Sequence, residues 1–122
     1  MGLLLRLFVA LLAVCLAISV ASGATPPAPT PELMKTGKAV YEINCAACHS
    51  VTGEGNGPVA FAVKPPPRNF VKEPFKAGDA VDQIFKTVTT GLPNTKMVGY
   101  PNLEERQRWA LAYYVRAFRV TK

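Results

Sequence analysis

Apolar residues along the 122-residue chain fall into distinct regimes, and each implies a different local structure. Residues 3–21 are apolar almost without a break, and Arg6 is the one charge before Glu32. Further on, Met34, Gly37, Tyr41, Cys45 and Cys48 recur at steps of three and four, the stripe of an amphipathic helix with both cysteines on its inward face. Thr30 followed by Pro31 reads as its N-cap and first helical residue. Between Ser50 and Gly78 the period dissolves into GEGNGP, KPPPRNF and KEPFKAG, too rich in glycine and proline for a long element. A second helix is expected over residues 80–90, with Asp79 as N-cap and Gly91 as stop. A third follows Asn102, which with Glu105 three residues on has the spacing of a capping box. Its inward stripe is Leu103, Gln107, Ala110, Leu111, Tyr114 and Phe118; Glu104, Arg106, Arg108, Arg116 and Arg119 form the outward face. No run alternates as a strand and no repeat is visible, so the expected fold class is all-α.

The apolar start ends in Ala21, Ser22, Gly23 and Ala24, small residues suited to a signal-peptidase site, and residues 1–23 are expected to be a signal peptide. An uncleaved anchor is the alternative, since residues 3–21 approach the ~20 apolar residues of a membrane span if Arg6 snorkels. Cys15 follows Val14 rather than a small residue, which speaks against lipidation there. Residues 24–30, ATPPAPT, make a proline-rich linker, and residues 31–122 are short enough for one core only. The formal charge of +6 falls to +5 once Arg6 is removed, and the cations are spread from Lys35 to Lys122 with no basic run or interleaved aromatics. That distribution excludes a nucleic-acid site; it is compatible with an acidic docking partner and equally with a plain solvated surface.

The chemistry is concentrated in CAACH at residues 45–49, which holds two of the three cysteines and the only histidine. Cys45 and Cys48, one helical turn apart, present both sulfurs to one side, and His49 adds an imidazole at once. This is the C-x-x-C-H pattern of covalent haem attachment, and it implies one haem c. A structural zinc site wants a second ligand pair, which the chain lacks. A redox dithiol wants a βαβ setting, and no strand pattern accompanies it. A plain disulfide would leave the long glycine- and proline-rich loop with nothing to pack on, whereas a haem supplies that core. With no second histidine, the remaining axial ligand falls to a methionine. Met34 lies eleven residues before Cys45 on the same helix, about 16 Å away along the axis at 1.5 Å per residue, and reads as core filler. Met97 sits in GLPNTKMVGYP, where no helix fixes its direction, and is the candidate. A buried gap-filler at Met97, a lysine ligand or an open sixth position are the alternatives.

The chain resembles the class I c-type cytochromes of the small bacterial monohaem type. The likeness runs from Pro31 to Lys122 and is carried by GKAVYEINCAACH at 37–49, GEGNGP at 53–58, GLPNTKM at 91–97 and WALAYYVRAF at 109–118. The resemblance implies a small cytochrome c fold of three or more helices and long loops wrapped around one haem. It implies covalent attachment at Cys45 and Cys48, axial ligation by His49 and Met97, and a Pro58 carbonyl accepting from the other nitrogen of His49. It also implies that Gly37 and Tyr41 pack against Tyr114. Val98, where many relatives have proline, and the KPPPRNF insertion depart from the pattern. The function implied is single-electron transfer between extracytoplasmic redox proteins, without enzymatic activity. A membrane-anchored cytochrome subunit of a respiratory or dehydrogenase complex is the second expectation.

Overall fold

The computed structural model describes Gly2 and residues 24–120, so the expected signal peptide falls outside the described residues apart from Gly2. Four helices follow in order: α1 (Pro31–Asn44), α2 (Ala46–His49), α3 (Val81–Thr90) and α4 (Glu105–Val120). A single 3-10 turn, Ala60–Ala62, interrupts the long loop between α2 and α3. Among the described residues the only extended pairing is an isolated antiparallel bridge between Gly91 and Val98. The fold is all-α, as its periodicity implied.

α1 opens as expected, with the Thr30 hydroxyl accepting the Leu33 N–H at 3.2 Å and Pro31 in the first turn, where a missing N–H costs nothing. It closes earlier than expected. Cys45 leaves helical geometry at φ −120° and ψ −32° while its N–H still reaches the Tyr41 carbonyl at 2.8 Å, and α2 restarts at Ala46. The apolar spacing continues through this break, so periodicity cannot register it. The buried residues of α1 are Leu33, Gly37, Val40 and Tyr41, and Met34 is only half-buried.

The tightest contact in the fold is the crossing of α1 on α4. A Cβ added at Gly37 would strike the Ala110 carbonyl and stand 2.8 Å from Tyr114 Cβ, so only glycine admits this approach. One turn on, the fully buried Tyr41 ring lies 5.3 Å from Tyr114 and 5.4 Å from Phe118, and its hydroxyl donates to the Ser50 carbonyl at 2.6 Å. Burial of each such side chain is worth ~1.5–3 kcal/mol. The implied packing of Gly37 and Tyr41 against Tyr114 is present.

Both later helices start differently from the sequence expectation. The first residue flanking α3 is Ala80, whose N–H is accepted by Gln83 Oε1 at 3.1 Å. Asp79 is not the cap, because its carboxylate is engaged by the Phe75 N–H at 2.9 Å, which closes the preceding turn. α4 begins at Glu105, with Gln107 Oε1 accepting the Glu104 N–H at 3.1 Å; Glu105 instead receives the Trp109 indole N–H at 3.4 Å, and no Asn102 capping box forms. Arg108, expected on the outward face, turns toward α3. Its guanidinium donates to Thr89 Oγ1 at 2.9 Å and lies 5.1 Å from the centre of the Phe85 ring, which stacks on buried Trp109 at 3.8 Å. Residues 24–30 form no helix or strand, and they are fastened to the domain, because the Tyr113 hydroxyl donates to the Pro27 carbonyl at 2.8 Å.

Gly37→Val should force α1 away from α4. Overpacking of this kind costs about 1–3 kcal/mol, and thermal unfolding of the holoprotein should show a midpoint lowered by roughly 4–8 °C for each kcal/mol.

Candidate functional site

A cleft of about 240 Å³ opens between the α1–α2 junction, the loop at residues 63–78, and α3 and α4. The Cys45 backbone break and the short α2 turn set the CAACH residues at its wall, so Cys45, Cys48 and His49 all line it. Both cysteines are free and half-buried. Burial, with Cys48 adjacent, pushes the Cys45 thiol up to about 12, so in this fold it stays protonated at neutral pH. Met97 also lines the cleft, and Met34 does not.

His49 is held by the loop that the sequence marked only as a departure. Its Nδ1 donates to the Arg68 carbonyl at 3.1 Å, and its ring stacks on Phe70 with centroids 4.3 Å apart and planes 18° from parallel. Burial lowers its pKa below the usual histidine value, and the Arg68 carbonyl opposes part of that shift. Burial therefore favours the neutral imidazole, with Nδ1 carrying the proton toward the Arg68 carbonyl and Nε2 carrying the lone pair.

The Pro58 carbonyl is not the acceptor that the resemblance implied. Gly57 and Val59 donate their N–H groups to the carbonyls of Cys48 and Ala47, each at 3.0 Å, so this turn closes the end of α2 rather than reaching the imidazole, and Pro58 is exposed. Arg68 takes that part because the backbone near it can come close. A Cβ at Gly55 would stand 2.6 Å from the Pro67 carbonyl oxygen and 2.9 Å from that of Arg68. Arg68 and Phe70 carry no sequence signal of this role beyond their place in KPPPRNF, the stiff segment of the loop that follows CAACH.

The Met97 loop is more constrained than its sequence suggested. Its carbonyl accepts the Leu92 N–H at 3.0 Å, its N–H reaches Thr95 Oγ1 at 3.1 Å, and Gly91 supplies the left-handed turn at φ 73°. Three residues on, the Tyr100 N–H bonds the Val88 carbonyl at 2.8 Å and its hydroxyl bonds the Asn44 carbonyl at 3.0 Å. The methionine segment is thereby tied to α3 and to the end of α1. Val98 lines the cleft beside Met97 and is 60 % exposed there.

Comparison with known proteins agrees with this geometry. The cytochrome c family profile matches residues 34–118, and the chain belongs to that family. Comparison with curated protein sequences gives no significant match. Among solved structures, the chain is similar to one from the Kuenenia stuttgartiensis reducing HAO-like protein complex Kustc0457/Kustc0458, at 30% identity and a TM-score of 0.74. The match covers 79% of this chain and 48% of that one, so the chain spans about half the length of that relative.

A cytochrome c domain carries covalently attached haem c, and the residues present fit that group: two unpaired thiols one turn apart, a neutral imidazole beside them, and a common cleft. Its chemistry is haem-based electron transfer, and such domains are typically extracytoplasmic. Among the described residues no helix is long and apolar enough to cross a membrane. Replacing Cys45 and Cys48 together by serine should abolish covalent attachment, read as haem released into acid acetone where the native protein retains it.

Proposed function

We propose that the protein is a single-electron carrier working outside the cytoplasm, with His49 and Met97 as axial ligands and no catalytic site of its own. The observation that carries this reading is the single cleft lined in common by Cys45, Cys48, His49 and Met97. Bound there, the haem supplies a reversible ferrous–ferric couple. The chain's part is to hold that group rigidly and dry. His49 Nδ1 is committed to the Arg68 carbonyl, which fixes its tautomer and raises its donor strength. Met97 brings a thioether, a weak donor to ferric iron that favours a potential toward the positive end of the haem range. Ile84, Val88, Leu111 and Val115 give the cleft apolar walls that keep the local dielectric low. With His49 and Met97 both serving as ligands to the bound group, no coordination site would remain for a substrate.

Export through residues 1–23 and a linker at 24–30 belong to this reading on the strength of the sequence. The partners are redox proteins. A positive mature chain suits acidic docking surfaces, while exposed Ile43, Phe61 and Val98 favour apolar contact. A second reading, a fixed subunit of a larger complex, draws support from the similar structure's origin in a protein complex. Washing membranes with salt separates the two, because a free carrier leaves and an anchored subunit stays.

Electrostatic docking predicts that partner reduction slows as the Debye length shrinks from ~30 Å at 0.01 M to ~10 Å at 0.1 M salt; a flat salt profile would indicate an apolar or permanent interface.

Met97→Ala should lose the weak far-red band of sulfur-ligated ferric haem, lower the reduction potential, and admit carbon monoxide to the ferrous form. Met34→Leu, a volume-conserving swap costing less than about 1.5 kcal/mol, should do none of these. Carbon monoxide binding to the unmodified ferrous protein would overturn the saturated-ligand reading.

A further inference from the structure

The KPPPRNF segment carries more than an acceptor for His49. A hydrogen bond through Nδ1 fixes where one corner of the imidazole points, but it leaves the ring able to rock about the line to that acceptor. The torsion joining an imidazole to its Cβ is broad and offers little resistance of its own. A second contact, on the face of the ring, is needed to fix the plane. Phe70 makes it, nearly parallel at 18° with centroids 4.3 Å apart.

Phe70 is itself held from several sides. Its N–H donates to the Gly53 carbonyl at 2.8 Å, and its ring is stacked 5.4 Å from Phe75 and 6.4 Å from Phe118. Gly53 stands at φ 73°, and a Cβ there would lie 2.7 Å from the Phe118 ring, so the turn that anchors Phe70 is pressed against the aromatic group behind it. Asn69 Oδ1 accepts the N–H groups of Val71 and Lys72 at 3.0 Å each, and Arg68 Nη1 donates to Glu73 at 2.9 Å and to the Pro74 carbonyl at 3.1 Å. The loop is a folded unit whose inner side presents one carbonyl and one phenyl face to one imidazole.

We infer that Phe70 is a positioning residue for the redox centre: together with the Arg68 carbonyl it clamps the His49 imidazole and sets the orientation of its plane. The inference rests on His49 being an axial ligand. Ligand-plane orientation governs how unpaired spin spreads over a ferric porphyrin, so the clamp has a signature apart from stability and from electron-transfer rate.

The test is proton NMR of the ferric holoprotein. Phe70→Met keeps an apolar side chain of similar reach and removes the flat face. It should reorder the hyperfine-shifted haem methyl resonances, and Phe70→Tyr, which keeps the face, should restore the native order. Phe118→Met, a change at the ring 6.4 Å behind Phe70 and outside the cleft lining, should leave that order intact even if it lowers the unfolding midpoint. A native methyl pattern in Phe70→Met would overturn the inference and reduce Phe70 to core filler. Absence of hyperfine-shifted His49 ring protons in the unmodified protein would remove the ligand assignment and this inference with it. If the Phe70 variants yield no holoprotein, the diamagnetic ferrous protein decides. A nuclear Overhauser contact between the Phe70 and His49 rings is expected, and its absence would overturn the clamp.

Discussion

The closeness of α1 to α4 at Gly37 is the constraint on which the rest of the molecule depends. α1 runs directly into the CAACH turn, and α4 supplies Leu111 and Val115 to the far side of the same cleft. The distance between two walls of the site is therefore set by a backbone contact that any side chain at position 37 would widen. Tyr41 transmits that setting along α1. Its ring rests on Tyr114 and Phe118, and its hydroxyl holds the Ser50 carbonyl at the very end of the His49 turn.

The long loop after α2 is unusual for so small a domain, yet it is not loose. Its glycines let backbone approach backbone: Gly55 makes room for the Arg68 carbonyl and Gly57 for the carbonyls of Ala46 and Ala47. Its prolines stiffen the stretch that walls the cleft beside His49. An ordered structure with little helix is thus built from successive local turns, tied together by the Phe70 N–H on the Gly53 carbonyl and by the Gly57 and Val59 N–H groups on the carbonyls of Cys48 and Ala47. What such a loop lacks in apolar mass, a large flat cofactor supplies as core.

The parts legible in the sequence were those governed by local rules. Thr30 and Pro31 mark the start of α1, Gly91 marks the end of α3, and CAACH declares the attachment chemistry. The misreadings arose where one side chain had two uses. Asp79 and Glu105 have capping chemistry at capping spacing, but the Phe75 amide and the Trp109 indole reached them first. Arg108 is polar and was assigned to solvent, though a guanidinium over Phe85 is an equally good fate for it. The acceptor for His49 lies 19 residues away in sequence. A carbonyl carries no residue signature, so its identity depends on loop closure rather than on composition.

The hydrogen bond from Tyr113 to Pro27 bears on how the domain would hang from whatever precedes it. At 100° per residue, Tyr113 lies about 160° around α4 from both Leu111 and Val115, so the leash leaves from the back of the helix whose front faces the cleft. Its free length counts from Pro27 rather than Pro31, which shortens the reach by about 14 Å at ~3.5 Å per residue. Were the N-terminal segment an anchor, as in the second reading, the bond at Pro27 would turn the cleft side of the domain away from the point of attachment and shorten its swing.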